Sequence, residues 1–132
     1  MRIIEVGTTL WKKCWATDIY SALHGHSHIS HCAIVELEVV APGICADFES
    51  IVNGKNNDEQ KCRVRAARVV SIVNIDDNDR VLTKCYSSRD IKFVYTVGDT
   101  VYPKRPFDES NVACGSGIHG FEDRDDAVNY QL

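Results

Sequence analysis

No apolar run in this chain approaches the length needed to cross a bilayer. Its opening stretch, MRIIEVGTTLWKKCW, has no continuous apolar core of the kind a secretion signal carries. C-x-x-C pairs are absent, which disfavours a zinc ribbon and a thioredoxin-type site. No internal repeat and no second domain can be discerned. Positive charge is not in excess either: 15 Lys and Arg stand against 19 Asp and Glu, a formal charge of −4. That balance argues against a broad duplex-DNA surface, while leaving room for a local basic pocket. These absences predict a cytoplasmic protein (host-cell cytoplasm if viral) with neither membrane nor duplex DNA among its partners.

What is present suits one ordinary domain over residues 1–132, large enough to bury a core without staples. Hydrophobic residues make up 44% and charged residues 26%, which places the chain among globular proteins. The cysteines are Cys14, Cys32, Cys45, Cys62, Cys85 and Cys114. With no export signal and no need of staples, they are expected to be free thiols.

The periodicity predicts an α+β domain, mainly antiparallel sheet with one or two short helices. In CAIVELEVV, Cys32 to Val40, Val35, Leu37 and Val39 alternate with Ile34, Glu36 and Glu38, the pattern of a strand with one dry face. Pro42-Gly43 reads as a turn, and Asn53 to Gln60, almost without apolar residues, as a mobile loop. In KCRVRAARVVSIVNI the apolar phase changes near Ala66-Ala67, which requires a bulge or burial of both faces. DDND, Asp76 to Asp79, reads as a hairpin turn, Gly98-Asp99 as another, and IHGF as a short strand. A final amphipathic helix is expected in EDRDDAVNYQL, and an earlier one in TDIYSALHG, Thr17 to Gly25. A second flexible loop is expected near residues 24–31.

Three blocks, LWKKC, FVYTVGDTVYP and FDESNVACGSGIHGFEDRDDAVNY, with KCRVRAARVVSI between the first two, resemble a small domain of unknown function. That domain occurs in phage proteins and downstream of pentapeptide repeats. Its pattern runs W-K-K-C, K-C-R, F-x-Y-x-V-G-x-x-V-x-P, C-x-x-G-I-H-x-F and A-x-x-Y. Gly120 stands where the pattern has an aromatic, an exchange expected to widen the space beside His119. The histidine-rich HGHSHISHC lies outside the pattern. GIHGF followed by a helix ending A-x-x-Y is also similar to ADP-ribosyltransferase-type folds, where such a strand lines a dinucleotide pocket.

Candidate chemistry falls in three places. Cys114 and His119, five residues apart across two glycines, are a candidate thiol–imidazole pair for catalysis. His24, His26, His28, His31 and Cys32 are candidate metal ligands, against the plainer reading of a solvated loop. The candidate ligand-binding set is Trp11, Lys13, Arg63, Arg65, Tyr95, Lys104, Arg105, Phe107, Gly115, Ser116, Gly117 and His119. Arginine forks hold phosphates, aromatic faces stack on bases, and glycine-rich backbone approaches anions closely. Lys12, Arg68 and Arg89 extend the basic set.

The phage-type resemblance and the basic–aromatic set together imply a small nucleotide-binding protein. It is expected to sequester a nucleotide immune signal, a cyclic nucleotide or an ADP-ribose derivative, and so counter host anti-phage defence. Such a sponge needs no cofactor and is expected to act as a homo-oligomer. Binding is favoured over catalysis because the histidine, aromatic and glutamate set of the transferases is not found in order. An ADP-ribosyltransferase-like or Cys/His-dependent enzyme and a protein-interaction module are the competing readings.

Overall fold

The computed structural model describes residues 2–17, 31–45, 61–90, 92–110 and 115–132. The early helix beyond Thr17, the loops at 24–30 and 53–60, and Cys114, His24, His26 and His28 lie outside the described residues.

Among the described residues nine strands form one sheet: β1 (Arg2–Ile4), β2 (Thr9–Trp15), β3 (Cys32–Cys45), β4 (Lys61–Asn74), β5 (Arg80–Val81), β6 (Lys84–Tyr86), β7 (Val94–Thr96), β8 (Thr100–Val101) and β9 (Ile118–Phe121). Every pairing is antiparallel. The order is β1-β3-β4-β9-β2-β6-β7, and β2 also pairs with β3. That extra pairing closes β2, β3, β4 and β9 into a ring. The sheet-rich expectation holds. Helix is minimal among the described residues, so α+β describes this domain only loosely: one helix, α1 (Arg124–Asn129), carries Asp123 as its N-cap.

The ring has a dry interior because alternation puts one apolar set inward from each long strand. Leu10 and Cys14 of β2, Ala33, Val35, Leu37 and Val39 of β3, and Cys62, Val64, Val69 and Ile72 of β4 are all fully buried. Burying each of the larger aliphatic side chains contributes roughly 1.5–3 kcal/mol. On the outer face, Ile34, Phe121 and Ala127 form a second cluster with Trp11 and Tyr130, which seats α1 against β2 and β9.

Two sequence readings change in register. The phase break at Ala66-Ala67 faces a shift between Val39 and Ala41, so the extra residue, Val40, sits on β3. Going on along β4, Glu36 faces Ser71 while Leu37 faces Val69, which makes Val70 a second extra residue. Pro42-Gly43 is not a turn. β3 continues through it, with Gly43 opposite Val64. A Cβ on Gly43 would lie 1.9 Å from the Arg63 carbonyl oxygen, so only glycine allows β3 to pass so close to β4. The DDND turn is as expected, with Asn78 and Asp79 at positive φ.

The cysteine expectation is overturned for one pair. Cys45 and Cys62 are directly opposite on β3 and β4 and are joined as a disulfide, their Cα atoms 4.2 Å apart. Cys14, Cys32 and Cys85 are not disulfide-bonded.

Candidate anion-binding site

β2 and β9 meet at a single bridge, Trp11 to Phe121. Beside that contact lies a cavity of about 430 Å³, within the range of small-ligand sites. Its lining is strongly one-sided in charge. Lys12 and Lys13 come from β2, Lys61 from the start of β4, Arg89 from the segment after β6, and Lys104 and Arg105 from the loop after β8. Among the described residues Asp90 is the one acidic residue in the lining. Phe93, Tyr95, Phe121 and Tyr130 give it aromatic walls, and Gly115, Ser116 and Gly117 a backbone rim.

Lys12 stands out by its position. It lies between Leu10 and Cys14 on the core-facing side of β2, opposite Val35. A cation in that phase must find either a partner or a way out. Among the described residues its ammonium makes no hydrogen bond or ion pair; half-buried, it keeps contact with solvent and opens into the cavity. Burial pushes its pKa down, Cys14 opposes that, and Lys61 and Arg89 add to the lowering.

The other cations are partly engaged. Lys13 Nζ donates to the carbonyl oxygens of Val128 and Tyr130, both at 2.9 Å, and so ties down the end of α1. Lys61 Nζ donates to the Tyr130 hydroxyl at 3.0 Å and lies 4.7 Å from the centre of its ring. Arg89 Nη2 reaches the same hydroxyl at 3.3 Å. Lys104 pairs with Asp90 at 2.5 Å, and that contact holds the Asp90 carboxyl below its ordinary pKa. Arg105 contributes its carbonyl oxygen, which accepts from Ser116 Oγ at 2.9 Å.

His119 is neutral at physiological pH. Burial, reinforced by Lys12, brings its pKa down to about 4, although the Gly115 bond works the other way. Its Nε2 lies 2.7 Å from the Gly115 carbonyl oxygen. A carbonyl can only accept, so Nε2 carries the proton and Nδ1 is left as the acceptor. Cys114, its proposed catalytic partner, is outside the described residues.

Arg63 does something other than expected. It is 1% exposed, absent from the cavity lining, and its guanidinium is spent on backbone. Nη1 donates to the carbonyls of Asp108 and Ser116 and Nη2 to that of Ser110, each at 2.8 Å. Arg65 donates to the Pro42 carbonyl and pairs with Glu109 at 2.6 Å. Both guanidiniums stack on Phe107, at 5.2 and 4.3 Å from its ring centre. A Cβ on Gly115 would come within 2.8 Å of Arg63 Nη1, and one on Gly117 within 2.9 Å of Arg63 Cβ. The glycines are there because the loop folds down onto this arginine. Arg63, Arg65 and Phe107 therefore form the post that shapes the rim, and Trp11 packs in the outer cluster.

Of the sequence-predicted binding set, the cavity gathers Lys13, Tyr95, Lys104, Arg105, Gly115, Ser116, Gly117 and His119. It also gathers Lys12 and Arg89 of the wider basic set, and adds Lys61, Phe93 and Tyr130. Lys12 left a signal in the sequence, a charge in the apolar phase of a strand. Gly120 lines the cavity too, but its reason differs from the expected widening: a Cβ there would lie 2.9 Å from Leu10 Cβ, so glycine lets β9 close on β2.

Among the metal candidates, His31 Nδ1 is 3.2 Å from the Asn74 amide nitrogen, and the Cys32 N–H donates to Asp76 at 2.7 Å. The one group of potential metal ligands among the described residues is Cys45, Cys62 and Glu122, whose sulfurs are joined to each other. Among those residues no helix is long and apolar enough to cross a membrane.

Against this geometry, a family model described as "Family of unknown function (DUF5758)" matches residues 4–127. An uncharacterized protein, L223, of Acanthamoeba polyphaga mimivirus is 36% identical over 102 residues, which is 74% of this chain. The chain spans 62% of that relative's length. No solved structure matches. Neither description mentions pentapeptide repeats or ADP-ribosyltransferases.

Proposed function

The chain belongs to this family of unknown function, and since membership assigns no chemistry we propose, from the cavity, that it binds a phosphate-bearing nucleotide. The carrying observation is Lys12: an ammonium on the core-facing side of a strand, with no hydrogen-bond or ion-pair partner among the described residues, at the edge of a cavity shared with five other cations. Leaving a cation without a counter-charge in a partly buried place costs stability. An anionic guest removes that cost, which makes the empty form the less satisfied one.

Phosphate would meet Lys12, Lys61 and Arg89, whose charges reinforce one another and whose geometry is braced by Tyr130. A base or other flat ring would lie against Phe93 or Tyr95, since aromatic stacking is tolerant of base identity. Neutral His119 offers Nδ1 as an acceptor for a guest hydroxyl or amino group. The viral relative supports a viral setting, in which the finer reading follows: capture of a cyclic nucleotide or ADP-ribose derivative that signals infection, acting as a sponge against host defence.

The test is differential scanning fluorimetry of the purified chain against ADP-ribose, NAD and cyclic di- and trinucleotides, with mass spectrometry of the ligand afterwards. Stabilisation with intact ligand recovered supports capture. Ligand recovered in altered form points to an enzyme, and no stabilisation by any nucleotide transfers the case to a protein-interaction module.

A further inference from the structure

Lys12 has the surroundings of a reactive amine rather than only of an electrostatic anchor. An amine attacks carbon only through its free lone pair, so lysines that form imines are found desolvated or beside other cations. Lys12 meets the second condition and, half-buried, part of the first. Its backbone sits in the apolar ring between Leu10 and Cys14, and Lys61 and Arg89 stand near enough to depress its protonation. No carboxylate holds it as an ammonium, since no ion-pair partner exists among the described residues. Lys104, by contrast, is neutralised by Asp90, and Lys13 is occupied by two carbonyls.

We infer that Lys12 is a covalent capture point, condensing with the aldehyde of a phosphate-bearing guest to form an imine. The Nζ lone pair forms the C–N bond while the carbonyl π pair moves onto oxygen. Nitrogen gives up a proton, oxygen gains one, and the carbinolamine then loses water to leave C=N. Amine plus aldehyde yields imine plus water, with no change of oxidation state and no co-reactant. The guest class is an aldehyde carrying phosphate, which includes open-chain sugar phosphates and the ring-opened terminal ribose of ADP-ribose. This rests on the reading that the cavity takes a phosphate-bearing guest.

The experiment treats the full chain with pyridoxal 5′-phosphate, reduces the adduct with borohydride and maps it by peptide mass spectrometry. In parallel, ADP-ribose and ATP are scanned for thermal stabilisation of the untreated protein. The expected result is an adduct on Lys12 in preference to exposed Lys84 and Lys92, falling roughly tenfold when pyridoxal without phosphate replaces the probe. Lys12→Arg is expected to lose the adduct, and Lys92→Arg to keep it; the mapping on the unsubstituted chain stands even if a variant fails to fold. Adducts on Lys84 and Lys92 with Lys12 bare, in a protein that nucleotides still stabilise, overturn the imine and leave the nucleotide reading intact. Equal labelling of Lys12 by both probes, with no nucleotide stabilising the chain, removes the phosphate-bearing guest and this inference with it.

Discussion

Arg63 stands directly across the β4–β9 ladder from His119, and the two side chains secure the same loop from opposite ends of the charge scale. Arg63, a buried cation, gathers the carbonyls of Asp108, Ser110 and Ser116. His119, a neutral imidazole, takes the carbonyl of Gly115. Together they occupy four backbone acceptors at the cavity rim and beside it.

Removing Arg63 should therefore read as a folding defect before it reads as a binding defect. Arg63→Met strips three part-buried carbonyls of their buried donor, and a loss of about 3 kcal/mol is expected in urea unfolding. A variant as stable as the parent would show that the loop does not depend on this arginine.

Lys12 should behave in the opposite way. Lys12→Met replaces a half-buried cation, unpartnered among the described residues, by an apolar chain of similar length, and a gain of up to about 1 kcal/mol is expected without ligand. Nucleotide affinity should fall roughly tenfold or more with loss of that charge. Loss of stability together with unchanged nucleotide binding would remove Lys12 from the site.

His119 sets a pH dependence whose sign follows from its depressed pKa. The unfolded chain takes up the proton near the ordinary value of 6.5, and the folded chain near about 4. The unfolded state thus binds more protons in that window. Stability is full above it and is lost as pH falls from 6.5 through 4, by up to about 3 kcal/mol from this group. His119→Gln, which keeps a donor for the Gly115 carbonyl, should flatten that slope relative to the parent. Superimposable stability–pH curves for the two proteins would mean His119 does not titrate abnormally.

The Cys45–Cys62 bridge closes a segment of sequence separation 17. In the chain-entropy account a loop of that size is worth about 3 kcal/mol, so reduction, or the paired change Cys45→Ser with Cys62→Ser, should lower the unfolding midpoint accordingly. Its dependence on reductant can be measured directly by unfolding with and without dithiothreitol. An unchanged midpoint on reduction would mean the bridge does not constrain the unfolded chain.

Much of the scaffold could be read from local pattern. The alternation of Val35, Leu37 and Val39 with charged neighbours identified β3 and its dry face, because the side-chain period of a strand is two wherever the strand goes. Asp123 with Asp125 and Asp126 identified the start of α1 by the preference of helix N-termini for negative charge. Pro42-Gly43 misled for a non-local reason. A glycine demanded by the passing Arg63 backbone carries the same letter as one demanded by a turn.

The site was less legible, since its residues are sorted by contacts across long separations. Arg63, Arg65 and Lys61 share one strand face and one kind of charge. Only register and loop packing send Arg63 to carbonyls 45 to 53 positions away and Lys61 to Tyr130, 69 away. The same holds for sulfur: six cysteines are visible in the chain, but that Cys45 faces Cys62 follows from the overall register of the β3–β4 ladder, in which the two shifts cancel. Local sequence determined which segments would be strands and which faces would be dry, because backbone geometry and side-chain alternation act over a few residues. Tertiary structure alone decided which cations are consumed by the protein's own carbonyls and which, above all Lys12, are left facing a cavity, because a charge's partner is chosen by the fold and not by its neighbours in the chain.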